Sequence, residues 1–115
     1  MLKLTLPYPP SVNHYLGHTR NGHMYRTQAA NNYKEIVGWI LHDLEVDPLE
    51  GQLAVTIRAY RPRKAGDIDG ILKVALDAMN KLAYGDDKQI IELHVFRGDD
   101  KHNPRLEVEI LEVQT

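Results

Sequence analysis

An α+β fold, a small mixed sheet covered by two helices in a single domain spanning residues 1–115, is predicted by three observations. Apolar residues recur at strand spacing in some segments and at helical spacing in two others, and turn formers separate these segments in the order β-α-β-α-β-β. Residues 2–6 alternate Leu2, Leu4 and Leu6 with Lys3 and Thr5, as a half-buried strand does. Pro7, Pro9 and Pro10 end it, and residues 7–26, rich in Pro, Gly, Asn and His, read as a long loop of functional or mobile character. Thr27 suits an N-cap, after which Ala30, Tyr33, Val37, Ile40 and Leu44 follow helical spacing. Tyr33 and Trp39 in this pattern read as core or dimer contacts. Asp47-Pro48 and Gly51 make a turn into a strand over residues 52–60, with Leu53, Val55, Ile57 and Ala59 on one face. Residues 61–66 are a basic connection. A second helix opens at Asp69 or Gly70 and runs to about Leu82, with Ile71, Leu72, Ala75, Leu76, Ala78, Met79 and Leu82 as its core stripe. Tyr84-Gly85-Asp86-Asp87 forms a turn before strands at 89–97 and 105–113. The Gly98–Pro104 segment between them suggests a hairpin, with Asp99 and Asp100 as turn formers.

Bulk properties bound the function. The 115 residues suit one domain, and 43% hydrophobic with 26% charged residues is ordinary for a globular chain. No apolar run approaches the roughly 20 residues of a membrane span. The opening Met1–Leu6 meets Pro7 too soon to be the apolar part of a signal peptide, so a cytoplasmic location is expected. The absence of cysteine excludes disulfides, thiolate chemistry and the usual structural zinc sites. So small a domain buries a modest core, which oligomerisation would supplement. A net charge of −2 weighs mildly against nucleic acid as a partner, but distribution matters more than the sum. Arg58, Arg61, Arg63 and Lys64 crowd the stretch ahead of Asp67, while Glu107, Glu109 and Glu112 gather near the C-terminus.

Asp67-Ile68-Asp69 lies where extended chain enters a helix, and residues two apart in extended chain project to one side. Hard ions such as Mg²⁺ take oxygen ligands, often one or two carboxylates together with phosphate oxygens. Asp86 and Asp87 precede a strand that could return one of them to the same point if it pairs near residues 52–60. Lys73, one helical turn after Asp69, faces the same side and could neutralise charge on a phosphate. Arg61, Arg63 and Lys64 could hold the nucleic-acid backbone without reading its sequence. Structural roles compete with each assignment. Asp69 could be an N-cap, and Lys73 could pair with Asp69 or Asp77 for about 0.3–0.5 kcal/mol. Asp86 and Asp87 could simply form a turn. These residues alone define a candidate Mg²⁺ site and stop short of a nuclease.

Several ordered blocks narrow the choice. Leu6-Pro7-Tyr8-Pro9-Pro10-Ser11-Val12-Asn13, Asp67-Ile68-Asp69-Gly70-Ile71-Leu72-Lys73, Leu76-Asp77-Ala78-Met79 and Tyr84-Gly85-Asp86-Asp87-Lys88-Gln89-Ile90 together resemble the RusA-type Holliday junction resolvases, small metal-dependent endonucleases common in phages and prophages. The resemblance covers nearly the whole chain, least clearly residues 27–50. It implies a homodimer that uses Mg²⁺, with Mn²⁺ as a substitute, to cut four-way DNA junctions by paired symmetric incisions in recombination and repair. It implies Asp67, Asp69 and Asp87 as catalytic metal ligands and Lys73 as a catalytic residue. Asn13, Arg20 and Arg26 fall in a region where the resemblance places DNA contacts, and they join Arg61, Arg63 and Lys64 as candidate DNA-binding residues. Gly70 departs from the Asn common after the family's D-x-D, and the low net charge departs from a basic footprint.

The expected chemistry is in-line hydrolysis leaving 5′-phosphate and 3′-hydroxyl ends. Two other readings stay open: a junction- or duplex-binding module without catalysis, and a metal-dependent nuclease for flaps or RNA. An acidic cluster on a DNA-binding face repels phosphate unless a metal intervenes, which weighs against the first. His14 and His18 have the spacing of a helical metal pair. With His23 they lie in the segment that reads as loop, where a polar, DNA-facing role suits them better.

Overall fold

Alternation sorts the apolar residues of four strands onto one side of a single sheet, and two amphipathic helices cover that side. The computed structural model describes residues 1–10, 16–18, 20–63 and 68–113, with 16–18, 24–26, 68 and 69 described by backbone alone. The elements are β1 (Leu2–Pro7), β2 (Leu16–His18), β3 (Met24–Arg26), α1 (Gln28–Asp43), β4 (Leu53–Arg61), α2 (Ile68–Met79), a 3-10 turn (Asp87–Gln89), β5 (Ile90–Asp99) and β6 (Arg105–Glu112). The main sheet runs β1-β6-β4-β5. β6 is antiparallel to both β1 and β4, and β4 is parallel to β5, so β4-α2-β5 is a β-α-β crossover. No helix among the described residues is long and apolar enough to cross a membrane.

The predicted inward face of β4 is the centre of the core. Leu53, Val55, Ile57 and Ala59 are fully buried, flanked by Leu106, Val108 and Ile110 of β6 and by Leu4 and Leu6 of β1. The helices add Ala30, Tyr33, Val37 and Leu41 from α1, and Ile71, Val74, Ala75, Ala78 and Met79 from α2. Thr27 caps α1 as expected, its side-chain oxygen accepting the Ala30 N–H at 3.3 Å. Two buried phenols carry the packing into the loops. Tyr33 donates to the Pro7 carbonyl and Tyr84 to the Leu76 carbonyl, each at 2.8 Å.

Several expectations need correction. The stretch read as loop over residues 7–26 contains a short antiparallel ribbon, β2 with β3, whose turn holds Gly22 at φ +79°. Asn21-Gly22 is a turn signal that the reading as plain loop overlooked, and of the two Gly22 takes the positive φ that favours glycine. The Gly98–Pro104 segment is not a hairpin, because β4 lies between β5 and β6. β4 carries the cleanest buried alternation and takes the centre. β5, whose sequence IIELHVFRGD has no uniform inward set, goes to the edge. Asp100 does form the turn, accepting the His102 and Asn103 N–H groups, while Asp99 reaches back to Arg61. α2 opens at Ile68 and stops at Met79, short of Leu82, because Lys81 turns left-handed at φ +69°. Trp39 is not in the core: it is 61% exposed on α1, edge-on to His42.

Candidate acidic site and basic end

The β-α-β crossover sets the geometry of the candidate residues. A helix joining two adjacent parallel strands must run back along the sheet, so its start lies near the end of β4 and its end near the start of β5. Asp69 is the second residue of α2. The ten residues from there to Met79 span about 15 Å of helix axis. Lys73 is one turn after Asp69, on the same face and exposed. Asp87 opens the 3-10 turn ahead of β5, at the opposite end of α2. The side chain of Asp69 and the whole of Asp67 lie outside the described residues. Within one chain, the fold therefore puts Lys73 beside the start of α2 and Asp87 beyond its end. Among the described residues no three acidic or histidine side chains gather closely enough to hold an ion.

The Asp87 end is built on hydrogen bonds to backbone. Asp86 accepts the Lys88 N–H at 3.0 Å and makes a reciprocal capping box with Gln89. The Gln89 amide uses all its hydrogen-bonding capacity. Its oxygen accepts the Gly85 and Asp86 N–H groups at 2.8 and 2.9 Å, and its nitrogen donates to the Leu49 and Gly51 carbonyls at 3.0 and 2.9 Å. This clasp ties the turn before β5 to the turn before β4. The D-x-x-Q pattern of Asp86 to Gln89 is a capping-box signature that the reading of these residues as a plain turn overlooked.

The clasp also separates the roles of the two aspartates. Asp86 is held below the usual carboxylate range, first by the Lys88 N–H and then by its hydrogen bond with Asp87. Asp87 is pushed above that range, chiefly by the hydrogen bond it shares with Asp86. The two carboxylates thus compete for a proton, and the one not engaged in capping is Asp87. The free carboxylate of Asp87 is an oxygen donor of the kind a hard cation takes, but among the described residues it has no second and third acidic ligand beside it.

The other end of the sheet is basic. Arg61 closes β4 and pairs with Asp99 of β5, its Nη2 at 2.9 Å and Nε at 3.0 Å from the carboxylate. Its side chain is only 14% exposed, so a DNA contact would have to compete with Asp99. Arg63 follows, exposed. Tyr8 sits near enough to Arg61 and Arg97 to feel both. Burial pushes its phenol up, and the two guanidinium groups oppose that. The N-terminal Pro-Tyr-Pro block and the end of β4, distant in sequence, therefore meet here. Arg105 bonds Asp100 at 2.9 Å and Glu107 at 3.1 Å, and lies 4.1 Å over the Tyr60 ring. That ring in turn packs against Gly98, where an added Cβ would approach it to 3.2 Å. Arg97 joins this end although the sequence reading assigned it no role. Only the parallel pairing of β5 with β4 brings it there.

The remaining candidates are placed as follows. Arg20 is exposed in the turn between β2 and β3, and Arg26 ends β3 with its side chain outside the described residues. Asn13, Lys64 and His14 lie outside the described residues, as does the side chain of His18. His23 is exposed.

The site so far is a carboxylate pair beyond one end of a crossover helix and arginines at the other, in a small α+β domain. Comparison with known proteins makes the class specific. Residues 7–111 match the family model of endodeoxyribonuclease RusA. The crossover junction endodeoxyribonuclease RusA of Escherichia coli is 31% identical over 113 residues, covering 96% of this chain and 93% of that protein. The protein of the same name from Shigella sonnei matches to the same extent. The one from Enterobacteria phage 82 is 30% identical over 113 residues, again 96% of this chain and 93% of its own length. The chain belongs to the RusA endodeoxyribonuclease family.

Proposed function

We propose that the protein is a homodimeric, Mg²⁺-dependent endodeoxyribonuclease that binds four-way DNA junctions in the cytoplasm and resolves them by paired, symmetric incisions during recombination and repair. The observation that carries this reading is the family match over residues 7–111, which spans Asp67, Asp69, Lys73 and Asp87. The relatives' name, crossover junction endodeoxyribonuclease, supports the junction as substrate.

When bound, Mg²⁺ (or Mn²⁺ in its place) would lower the pKa of an attacking water and offset charge on the scissile phosphate. Asp67, Asp69 and Asp87 are the residues that would hold it. Lys73, one turn along α2 from Asp69, would place an ammonium beside the phosphate as charge develops on the leaving oxygen. Arg63 and Lys64, with Arg20, Arg26 and Asn13 from the N-terminal segment, would grip the DNA backbone and position it. Arg61 can join them if phosphate displaces Asp99.

Helix length supports the dimer. Roughly 15 Å of α2 intervenes between Asp69 and the helix end that Asp87 lies beyond. One ion at about 2.1 Å from each oxygen cannot bridge that span. A second copy, turned end for end, can offer its Asp87 to the first copy's Asp67 and Asp69. Two-fold symmetry then makes two equivalent sites, which suits two symmetric cuts.

The test is cleavage of a synthetic four-way junction with Mg²⁺ by the wild type and by Asp69→Asn, run beside flap and RNA substrates. Junction cleavage leaving 5′-phosphate ends, abolished by the substitution, is expected. Equal cleavage by both proteins would sink the assignment. Preference for flap or RNA would move the substrate, and binding without cleavage would make the chain a junction-binding module.

A further inference from the structure

We propose that Asp99 is a built-in competitor for phosphate. It occupies the guanidinium of Arg61 in the free protein, the DNA backbone must displace it, and it thereby limits how tightly the basic end grips DNA. The proposal rests on the reading above that this end meets DNA, and adds the residue that restrains it.

The pair is not needed to hold its two strands together. Arg61 and Asp99 face each other at the last rung of the parallel β4–β5 pairing. Backbone already closes that end, since the Asp100 N–H donates to the Arg61 carbonyl at 2.8 Å. An ion pair with a half-open partner adds little stability to such a closure.

The geometry is instead that of an occupied anion site. Nε and Nη2 form one edge of the Arg61 guanidinium, and they lie 3.0 and 2.9 Å from the same Asp99 oxygen, Oδ1. Arginine offers that edge to carboxylate and phosphate oxygens alike. The acid is the more exposed member, its side chain 40% open against 14% for Arg61. An approaching phosphate therefore meets the negative charge of Asp99 along with the arginine.

Arg61 is also the arginine that one exchange can free. Arg105 is held by Asp100 and Glu107 and lies over the Tyr60 ring, a set that one phosphate oxygen cannot replace. Arg61 has a single carboxylate partner among the described residues. Local charge makes that partner count. Arg61, Arg63, Arg97 and Arg105 are nearly matched by Asp99, Asp100 and Glu107, so removing one carboxylate changes the net charge of this end by a large share.

The experiment is a double-mutant cycle. Binding of a synthetic four-way junction and of a plain duplex is measured without divalent metal, so that no strand is cut. The proteins are the wild type, Asp99→Asn, Arg61→Ala and the double variant, each checked for fold by thermal unfolding. Asp99→Asn should tighten binding about fivefold at low salt, and the gain should shrink as salt rises. In the Arg61→Ala background the same substitution should gain less than about twofold, because the competitor acts through that arginine. Asp99→Ser removes the same carboxylate and should behave alike if asparagine disturbs the strand end.

An equal gain with and without Arg61 would reduce Asp99 to a general repulsive charge and overturn the proposal. Weaker binding by folded Asp99→Asn and Asp99→Ser would overturn it too, because Asp99 would then be orienting Arg61 for DNA. No DNA binding by any of these proteins would overturn both the proposal and the functional reading. If the coupling appears but Mg²⁺ yields no junction cleavage, the competitor stands and the nuclease reading fails. If junctions are cut and the coupling is absent, the reverse holds.

Discussion

The two ends of α2 are held by different physics. At the Asp87 end, one glutamine amide and one capping carboxylate satisfy backbone groups from two turns, and the key bonds are to backbone. At the Arg61 end the ties are ion pairs between partly exposed side chains, Arg61 with Asp99 and Arg105 with Asp100 and Glu107. Backbone-directed hydrogen bonds are indifferent to salt. Exposed ion pairs contribute little to stability, are screened, and exchange partners readily. Asp87 is thus carried by the rigid end, and Arg61 and Arg105 sit at the exchangeable one.

The largest test of this contrast mixes two inactive proteins. Asp69→Asn and Asp87→Asn should each lower junction cleavage on the order of 10²–10³-fold, the scale of losing transition-state charge stabilisation. If each site draws on both ends of α2 through two copies, mixing the variants restores one intact site per mixed dimer, and nicks in a single strand reappear. A mixture as inactive as its components would show that both ends serve one chain.

Stability should respond next. Gln89→Ala removes four hydrogen bonds from the clasp, and water can replace part of them. A loss of about 1–2 kcal/mol is expected, with Tm lower by roughly 4–10 °C in thermal unfolding. Arg61→Ala should cost less than about 1 kcal/mol, and that loss should shrink further as salt is added. A larger effect for Arg61 than for Gln89 would invert the comparison.

Alkaline pH gives a third handle. Burial raises the phenols of Tyr33 and Tyr84, and at Tyr84 the charges of Asp87 and Asp77 add to the effect. Unfolded, each phenol releases its proton near its ordinary value of 10.0; folded, each keeps it to a higher pH. Stability is therefore intact below that value and falls as pH rises past it. Tyr84→Phe should flatten part of this fall in urea unfolding followed against pH. The smallest effect is at the acidic limit. The Asn103 N–H, then Arg105, hold Asp100 below the usual carboxylate range of 3.8, so its contribution is present above that value and fades as pH drops beneath it. Asp100→Asn should weaken that acid dependence slightly.

The sequence by itself determined the α+β class, the inward face of β4, the capped start of α1 and the family. Each is written in local patterns: residues two apart on a strand, three or four apart on a helix, and ordered motif blocks. It also placed Lys73 one turn from Asp69, because helical spacing needs no tertiary information. Only the tertiary structure decided that β4 separates β5 from β6, that β5 becomes a long exposed edge, and that Arg97 and Tyr8 join Arg61. It alone set Asp87 at the far end of α2 from Asp69. Strand order and parallel pairing are long-range choices, fixed by which strand buries its apolar face most completely and by the reach of the connecting helix. Local periodicity carries no trace of either.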